Sequence, residues 1–107
     1  MDMNYYSERL EQFARERAWD QYHNPKNLAV ALSVEASELL EIFQWLTPQE
    51  AERVMTGAMS SNVRDELADV QIYLLRLASV LNVDLESEVE KKILRNERRF
   101  PASRPRE

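Results

Sequence analysis

Residues 27–46 read NLAVALSVEASELLEIFQWL, and this stretch decides the fold. Its aliphatic residues recur at steps of three and four, as in an amphipathic helix packed along one face, and they are Leu28, Leu32, Leu39, Ile42 and Leu46. Glu35 occupies a place in this series where another apolar residue is expected, and at ~100° per residue it points within about 60° of all five. Burying a lone carboxylate costs several kcal/mol, so Glu35 requires a partner.

A second stretch, VRDELADVQIYLLRLASVL at residues 63–81, repeats this construction. Its apolar stripe has the same spacing and consists of Val63, Leu67, Val70, Leu74, Leu77 and Leu81. The pair Glu66 and Asp69 lies beside this stripe much as Glu35 and Glu38 lie beside the first. Helices packed along both stripes would bring four carboxylates together, and these repel one another unless a cation joins them. Oxygen ligands alone point to a hard divalent ion, Mg²⁺ or Mn²⁺.

The overall composition excludes several classes of protein. The chain has 107 residues, the size of one domain, and a net charge of −5, which argues against a nucleic-acid binder. Gly57 is the only glycine, so neither a glycine-rich phosphate loop nor a dinucleotide fingerprint is present. The chain has no cysteine, and therefore no disulfide, thiolate nucleophile or zinc–thiolate site. Because no apolar run suits a membrane span or a signal peptide, we expect a cytoplasmic protein with no membrane partner.

The first half of the chain is predicted to form two helices. Residues 1–5 are expected to be frayed, and a helix is expected to run from Tyr6 to Trp19 or Asp20. Asn24, followed by a proline that suits the first helical turn, is predicted to cap the central helix.

Polar caps divide the second half of the chain into three more helices. Thr47, followed by a proline and, three residues on, by a glutamate, predicts a capping box at the start of a short helix. Ser60 or Ser61 is expected to cap the next helix, which ends near Leu81 with Asn82 as its C-terminal stop. Asp84 is expected to cap the last helix, and a proline ends it.

No segment has the pattern of a strand, so the predicted fold class is all-α, with four to five helices in an antiparallel bundle joined by short loops. We expect a single domain over residues 1–101 and a disordered tail over residues 102–107. Several helices carry apolar residues beyond one stripe, among them Val34, Ile72 and Leu75. Because a bundle of this size buries only a small core, we expect a second buried surface and hence a homo-oligomer.

The ordered motifs of the chain resemble one family. Glu35-x-x-Glu38 followed by Glu66-x-x-Asp69 is similar to the signature of the MazG-like all-α nucleoside triphosphate pyrophosphohydrolases. The similarity to the dCTP pyrophosphatase branch of this superfamily extends over further segments, which are residues 13–23, 25–28, 43–45, 65–70, 72–74, 83–85 and 92–101. An E-x-x-E motif alone is weak in a chain with 19 acidic residues, whereas the ordered set is specific.

The resemblance implies an activity and its site residues. The family hydrolyses nucleoside triphosphates to the monophosphate and pyrophosphate with Mg²⁺, for which Mn²⁺ can substitute. The implied metal ligands are Glu35, Glu38, Glu66 and Asp69, and a carboxylate, Glu35 or Glu38, would act as the catalytic base. The implied substrate-binding residues are Trp19, His23, Trp45, Tyr73, Lys92, Asn96 and Arg99. Asn27 is added to them because the first turn of a helix attracts anions.

The resemblance also implies a substrate and an assembly. We expect dCTP or a modified dCTP as the substrate, in house-cleaning of the nucleotide pool, and a dimer or tetramer whose sites are completed across subunits. Leu10 departs from the pattern of the animal dCTP enzymes, in which a histidine lies near the base. The choice of base is therefore left open.

Other interpretations of the same residues stay open. The alternative function is a non-catalytic helical oligomerisation or regulatory module with a structural divalent cation. A di-iron or di-manganese bundle is disfavoured, because that design uses Glu-x-x-His pairs and none is formed by these acids. Trp19 and Trp45 would also suit a core or a subunit interface. Lys92 and Arg99 would also suit a solvated basic face, since the helix dipole favours cations at a C-terminus.

Overall fold

The computed structural model describes residues 1–102, which form five α-helices, one 3₁₀ turn and no strand. In chain order the elements are α1 Met3–Glu16, α2 Pro25–Phe43, α3 Pro48–Glu52, the 3₁₀ turn Val54–Thr56, α4 Ser60–Val80 and α5 Leu85–Arg99. The prediction of an all-helical fold is therefore confirmed. Over the described range, no helix combines the length and apolarity needed to cross a membrane. The predicted tail lies outside the described residues, apart from Ala102.

Helix α1 begins earlier than the sequence predicted. Asp2 is its N-cap, and the Asp2 side chain accepts a hydrogen bond from the Tyr5 backbone N–H at 3.0 Å. This bond satisfies one of the donors that a helix start leaves free. Residues 3–5 are therefore helical, and the expectation that residues 1–5 are frayed is wrong.

Helix α1 also ends earlier than predicted, at Glu16 rather than at Trp19 or Asp20. Ala18 has a positive φ of 55°, a left-handed conformation that reverses the direction of the chain. The Trp19 N–H then donates to the Ala14 carbonyl at 2.9 Å, as in a Schellman motif. The turn brings Trp19 back towards the end of α1 instead of continuing the helix.

Three of the predicted caps are present. The Asn24 side chain accepts a hydrogen bond from the first turn of α2 at 2.9 Å. Thr47 forms the predicted capping box at the start of α3. Asp84 caps α5 by accepting a backbone hydrogen bond at 3.1 Å. Short polar side chains at these positions thus set three of the helix starts.

The start of α4 differs from the prediction that Ser60 or Ser61 caps it. Met59 occupies the N-cap position and makes no side-chain hydrogen bond there. The Ser60 hydroxyl is instead inside the first turn, where it accepts a hydrogen bond from Arg64 at 2.8 Å. Neither serine therefore acts as the cap.

The core lies where α4 packs against α2 and against α1. The buried apolar residues of the described chain are Ala14, Leu28, Val63, Leu75 and Ala78. On α4 the buried face differs from the predicted stripe, because Leu67 and Leu81 are 54% and 51% exposed whereas Leu75 is 3% exposed. Since α4 contacts two helices at once, its buried surface is wider than one stripe and is rotated towards α1.

The chain is extended for its size. Its radius of gyration is 17.4 Å, whereas a compact chain of this length has a radius of about 13 Å. Helix α5 has no buried residue and makes few contacts with the other helices. Large apolar side chains such as Val34 and Ile72 are 49% and 40% exposed. Much of the apolar surface that the sequence predicted to be buried is thus open in a single chain.

Candidate active site

Three acidic side chains meet where α2 packs against α4. Glu35 and Glu38 lie one turn apart on α2, and Glu66 lies opposite them on α4. One carboxylate oxygen of each lies within 4.8 Å of the others. The prediction that the two acidic helices bring their carboxylates together is therefore confirmed for these three residues. Asp69, one turn beyond Glu66, is not part of this cluster, and its role as a metal ligand stays a prediction.

The cluster leaves two polar atoms without partners. Within residues 1–102, Oε2 of Glu35 and Oε2 of Glu66 are buried and have no hydrogen-bond partner. A buried oxygen of this kind loses its hydration without compensation, which costs free energy unless a proton or a cation satisfies it. Carboxylate oxygens are the ligands that Mg²⁺ and Mn²⁺ prefer, so the residues present fit a hard divalent cation.

The proximity of these acids changes their proton affinity. The interaction with the Glu66 carboxyl group, burial and the nearby Glu38 raise the pKa of Glu35 from its usual 4.5 to about 7. The interaction with Glu35 lowers the pKa of Glu66, but burial and the charges of Glu38 and Asp69 outweigh it, so that the pKa of Glu66 is raised overall. Without a cation, the cluster therefore binds protons that isolated glutamates would release at neutral pH.

An open groove of about 420 Å³ adjoins the carboxylates and is lined by Glu38, Glu41, Ile42, Met59, Asn62 and Glu66. Its lining includes three acids and no basic side chain. The charged side chains that a phosphate group would meet in this groove are all negative, so its binding would require a metal ion or cations from elsewhere.

A second cavity, of about 100 Å³, lies between α1, the α1–α2 connection and α4. It is lined by Leu10, Phe13, Trp19, His23, Ile72, Tyr73 and Arg76. The structure thus brings together three predicted substrate-binding residues, Trp19, His23 and Tyr73. The Phe13 and Trp19 rings meet edge to face, with centroids 5.4 Å apart. Apolar and aromatic walls with a few polar groups are typical of a site for a flat ring.

Arg76 is the residue of this cavity that the sequence analysis missed. It is 7% exposed, which makes it the one buried charged residue of the described chain. Its Nε–H donates to Nδ1 of His23 at 3.0 Å, and its Nη2 donates to Asp20 at 3.0 Å. The sequence did contain a signal for Arg76, because it lies next to the apolar stripe of α4. A charged residue at such a position requires partners when it is buried.

Two other predicted substrate-binding residues lie outside this cavity. Trp45 is 86% exposed and does not line it. The Asn27 side chain donates to the Tyr22 carbonyl at 3.1 Å, so it fastens the α1–α2 connection to the first turn of α2. Neither finding tests a contact with substrate, which for both residues stays a prediction.

The remaining predicted residues lie together on α5. Lys92, Asn96 and Arg99 line an open surface groove of about 450 Å³, with Arg95 and Arg98 beside them. This confirms that the three share one face. The groove contains none of the residues that line the carboxylate groove or the aromatic cavity. The predicted site residues that line these three hollows in a single chain therefore fall into three sets with no residue in common.

The chain is similar to known proteins in sequence and in structure. The sequence profile of the MazG-like family matches residues 30–106. Human dCTP pyrophosphatase 1 is 44% identical over 92 residues, which cover 85% of this chain and 54% of that protein. The corresponding mouse protein is 41% identical over 91 residues, with 84% and 54% coverage. The chain thus spans about half the length of these curated relatives.

A solved structure is similar over nearly the whole chain. It is the crystal structure of a pyrophosphatase from Archaeoglobus fulgidus DSM 4304, with a TM-score of 0.87 and 41% sequence identity. The match covers 95% of this chain and 94% of that one.

Proposed function

The chain belongs to the MazG-like family, and from that premise we propose that it is a nucleoside triphosphate pyrophosphohydrolase. The proposed substrate is dCTP or a modified dCTP, and the products are the monophosphate and pyrophosphate. Relatives named dCTP pyrophosphatase 1 support this choice of substrate. We propose that this activity cleans the nucleotide pool and that the protein acts in the cytoplasm.

The observation that carries this proposal is the cluster of Glu35, Glu38 and Glu66. Two of its carboxylate oxygens are buried and unsatisfied, which is an unfavourable arrangement in a protein without a bound cation. Glu35, Glu38 and Glu66 would hold Mg²⁺, or Mn²⁺ in its place, and Asp69 would complete the ligand set. The bound ion would neutralise the triphosphate and polarise the phosphorus under attack.

The protein's own groups then have distinct tasks. A carboxylate, Glu35 or Glu38, would take a proton from the attacking water as its oxygen bonds to the α-phosphorus. The bond between that phosphorus and the α,β-bridging oxygen breaks, and the bridging oxygen leaves with pyrophosphate.

The aromatic cavity would hold the nucleobase. Trp19 offers a ring face for stacking, and His23 and Tyr73 offer polar atoms to the edge of the base or to the sugar. Trp45 is so exposed in the single chain that it would need a bound nucleotide or another subunit to cover it.

The basic groove on α5 would hold the phosphates through Lys92, Asn96 and Arg99. Lys92 and Arg99 would supply the positive charge that the carboxylate groove lacks, and the Asn96 amide would add a hydrogen-bond donor. We infer a homo-oligomer in which α5 of one subunit completes the site of another. The extended shape of the chain supports this, as does an apolar hollow of about 360 Å³ between α1 and α4.

A panel assay tests the proposal. The purified protein is incubated with each natural dNTP and NTP and with 5-methyl-dCTP, in Mg²⁺ and in EDTA, and the products are separated. Monophosphate together with pyrophosphate, formed only with metal and fastest from dCTP or its methylated form, is the expected result. Diphosphate and phosphate as products would contradict attack at the α-phosphorus. If no triphosphate is cleaved, the acids are a structural cation site and the proposal fails.

A further inference from the structure

Beside the cavity at Trp19 lies a partly buried ion pair with an unusual third member. Arg76 on α4 is 8% exposed at its side chain, whereas its carboxylate partner Asp20 is 53% exposed. The same guanidinium also donates through Nε to Nδ1 of His23 at 3.0 Å. These two hydrogen bonds join Arg76 to His23 and Asp20, which precede it in the chain by 53 and 56 positions.

The chemistry of the two side chains determines where the imidazole proton resides. A guanidinium stays protonated at any accessible pH and has donors but no acceptor. Nδ1 of His23 must therefore act as the acceptor, which in a neutral imidazole leaves the proton on Nε2. A second proton on Nδ1 would point at the Arg76 N–H and break the bond.

The surroundings of His23 also favour its neutral form. Burial and then the positive charge of Arg76 lower the pKa of His23 below its usual 6.5, and the opposing effect of Asp20 is smaller. His23 is consequently neutral at physiological pH, and its ring has one arrangement of donor and acceptor.

We propose that Arg76 is a positioning residue that fixes His23 in the form protonated only at Nε2, so that the cavity offers a permanent hydrogen-bond donor to an acceptor atom of the nucleobase. The proposal rests on the proposed function for the identity of the ligand. Its first part, the protonation of His23, does not depend on any activity.

The lining of the cavity explains why a fixed donor would matter. Apart from His23, Tyr73 and Arg76, the residues that line it are apolar or are aromatic rings. A base edge entering such a cavity loses its hydration, so an acceptor atom that meets no donor there is penalised. A histidine free to exchange its proton between the two nitrogens would offer the donor only part of the time. By keeping the proton on Nε2, Arg76 would make the donor available all the time.

The protonation state can be measured directly, because His23 is the only histidine in the sequence. In protein labelled with ¹⁵N-histidine, a two-dimensional NMR spectrum distinguishes the two neutral forms through the shifts of the ring nitrogens. We expect Nε2 protonated and Nδ1 unprotonated at pH 7.5. A wild-type spectrum with Nδ1 protonated, or with both forms populated, overturns the proposal.

Two variants separate positioning from simple packing. Arg76→Met preserves most of the side-chain volume and should give a mixture of both forms, with the titration midpoint of His23 rising towards 6.5. Asp20→Asn should leave the wild-type form in place, because the Arg76 to His23 bond remains. If folded Arg76→Met retains the single form, Arg76 does not position His23. If Arg76→Met fails to fold, Arg76→Lys, whose ammonium retains the charge but not the guanidinium geometry, replaces it in the same measurement, and a wild-type spectrum with Nδ1 protonated still overturns the proposal.

Kinetics test the second part, recognition of the base. With the best substrate of the panel, Arg76→Met should raise KM roughly tenfold with little change in kcat, as for one weakened hydrogen bond made alike in ground and transition states. Arg15→Met is the matched control, since Arg15 is an exposed arginine paired with Glu11 on α1, and it should leave both constants unchanged. A wild-type KM in folded Arg76→Met overturns this part. Absence of hydrolysis by wild type would overturn the proposed function instead, while the NMR result still decides the role of Arg76.

Discussion

Glu35 on α2 and Glu66 on α4 face each other, and each has one buried carboxylate oxygen with no hydrogen-bond partner within the described residues. Two like charges in such a position destabilise the fold unless a proton or a cation lies between them. The pair therefore couples the stability of the protein to pH and to divalent metal, and both couplings can be measured without knowing the substrate.

Glu35→Gln should separate a catalytic from a structural metal site. If the site is catalytic, kcat should fall roughly 100-fold or more, because a metal ligand and a candidate base are both removed. The metal-free variant should melt at the same or a higher temperature than metal-free wild type, since one buried charge is gone. Product formation and thermal melting with and without Mg²⁺ check both points. Glu16→Gln, an exposed acid of α1, is the control and should behave as wild type.

The metal-free protein should be more stable in mild acid than in mild base. Folding raises the pKa of Glu35 from 4.5 to about 7, so its stabilising contribution is complete below pH 4.5 and is lost as the pH rises through 7. After allowance for solvent screening, we expect a loss on the order of 1 to 3 kcal/mol in the free energy of unfolding, measured by urea titration in EDTA.

Two comparisons assign this pH dependence to the cluster. Glu35→Gln should flatten the decline between pH 5 and pH 8, because its amide does not titrate. Mg²⁺ should restore stability above pH 7, where the ionised carboxylates bind it. A decline that is equally steep in Glu35→Gln would mean that other groups cause it.

Mixing two inactive variants should test whether sites are shared between subunits. Glu35→Gln disables the carboxylate cluster, and Arg99→Met removes a cation from the α5 groove. If α5 completes the site of a partner, a mixed dimer contains one site with both defects and one site with neither. Co-expressed variants should then recover about one quarter of wild-type activity, given random pairing in a symmetric dimer. No recovery in mixed oligomers would place both residues in the site of a single chain.

Ala18→Gly should stabilise the protein. Ala18 has a φ of 55°, a left-handed conformation that costs an alanine about 1 kcal/mol and costs glycine almost nothing. Because glycine also loses more entropy on folding, we expect a net gain of roughly 0.5 kcal/mol in the free energy of unfolding. Ala18→Val, with a branched side chain at the same φ, should be destabilising in the same denaturation experiment. Equal stability of all three proteins would contradict a strained turn.

Local signals in the sequence determined much of the secondary structure. Asn24, Thr47 and Asp84 cap the helices that they were predicted to cap, because capping depends on one side chain and the backbone three residues away. Asn82 lies in the left-handed turn that ends α4, with a φ of 57°. The prediction failed at α1, where a left-handed alanine is rare enough to have no reliable sequence signal.

The spacing of the acids determined part of the candidate site. Helical periodicity places Glu35 on the apolar face of its helix and Glu66 beside the apolar stripe of the other, and each apolar face has to pack against another element. The periodicity does not fix the rotation and the relative shift of the two helices. The rotation and the shift depend on many small packing contacts. They decided that Glu38 joins Glu35 and Glu66 in the cluster and that Asp69 does not.

Only the tertiary structure brought Arg76 to His23 and Asp20, across separations of 53 and 56 residues. It also showed that α4 packs against two helices and that α5 has no buried residue. Contacts of this kind depend on how whole helices are arranged in space, and no pattern within one helix encodes that arrangement. The sequence by itself determined that the chain is helical, three of the helix caps and the acids that could bind a metal. The packing of α1 and α2 on α4 decided which of those acids meet, and it placed a buried arginine beside the only histidine.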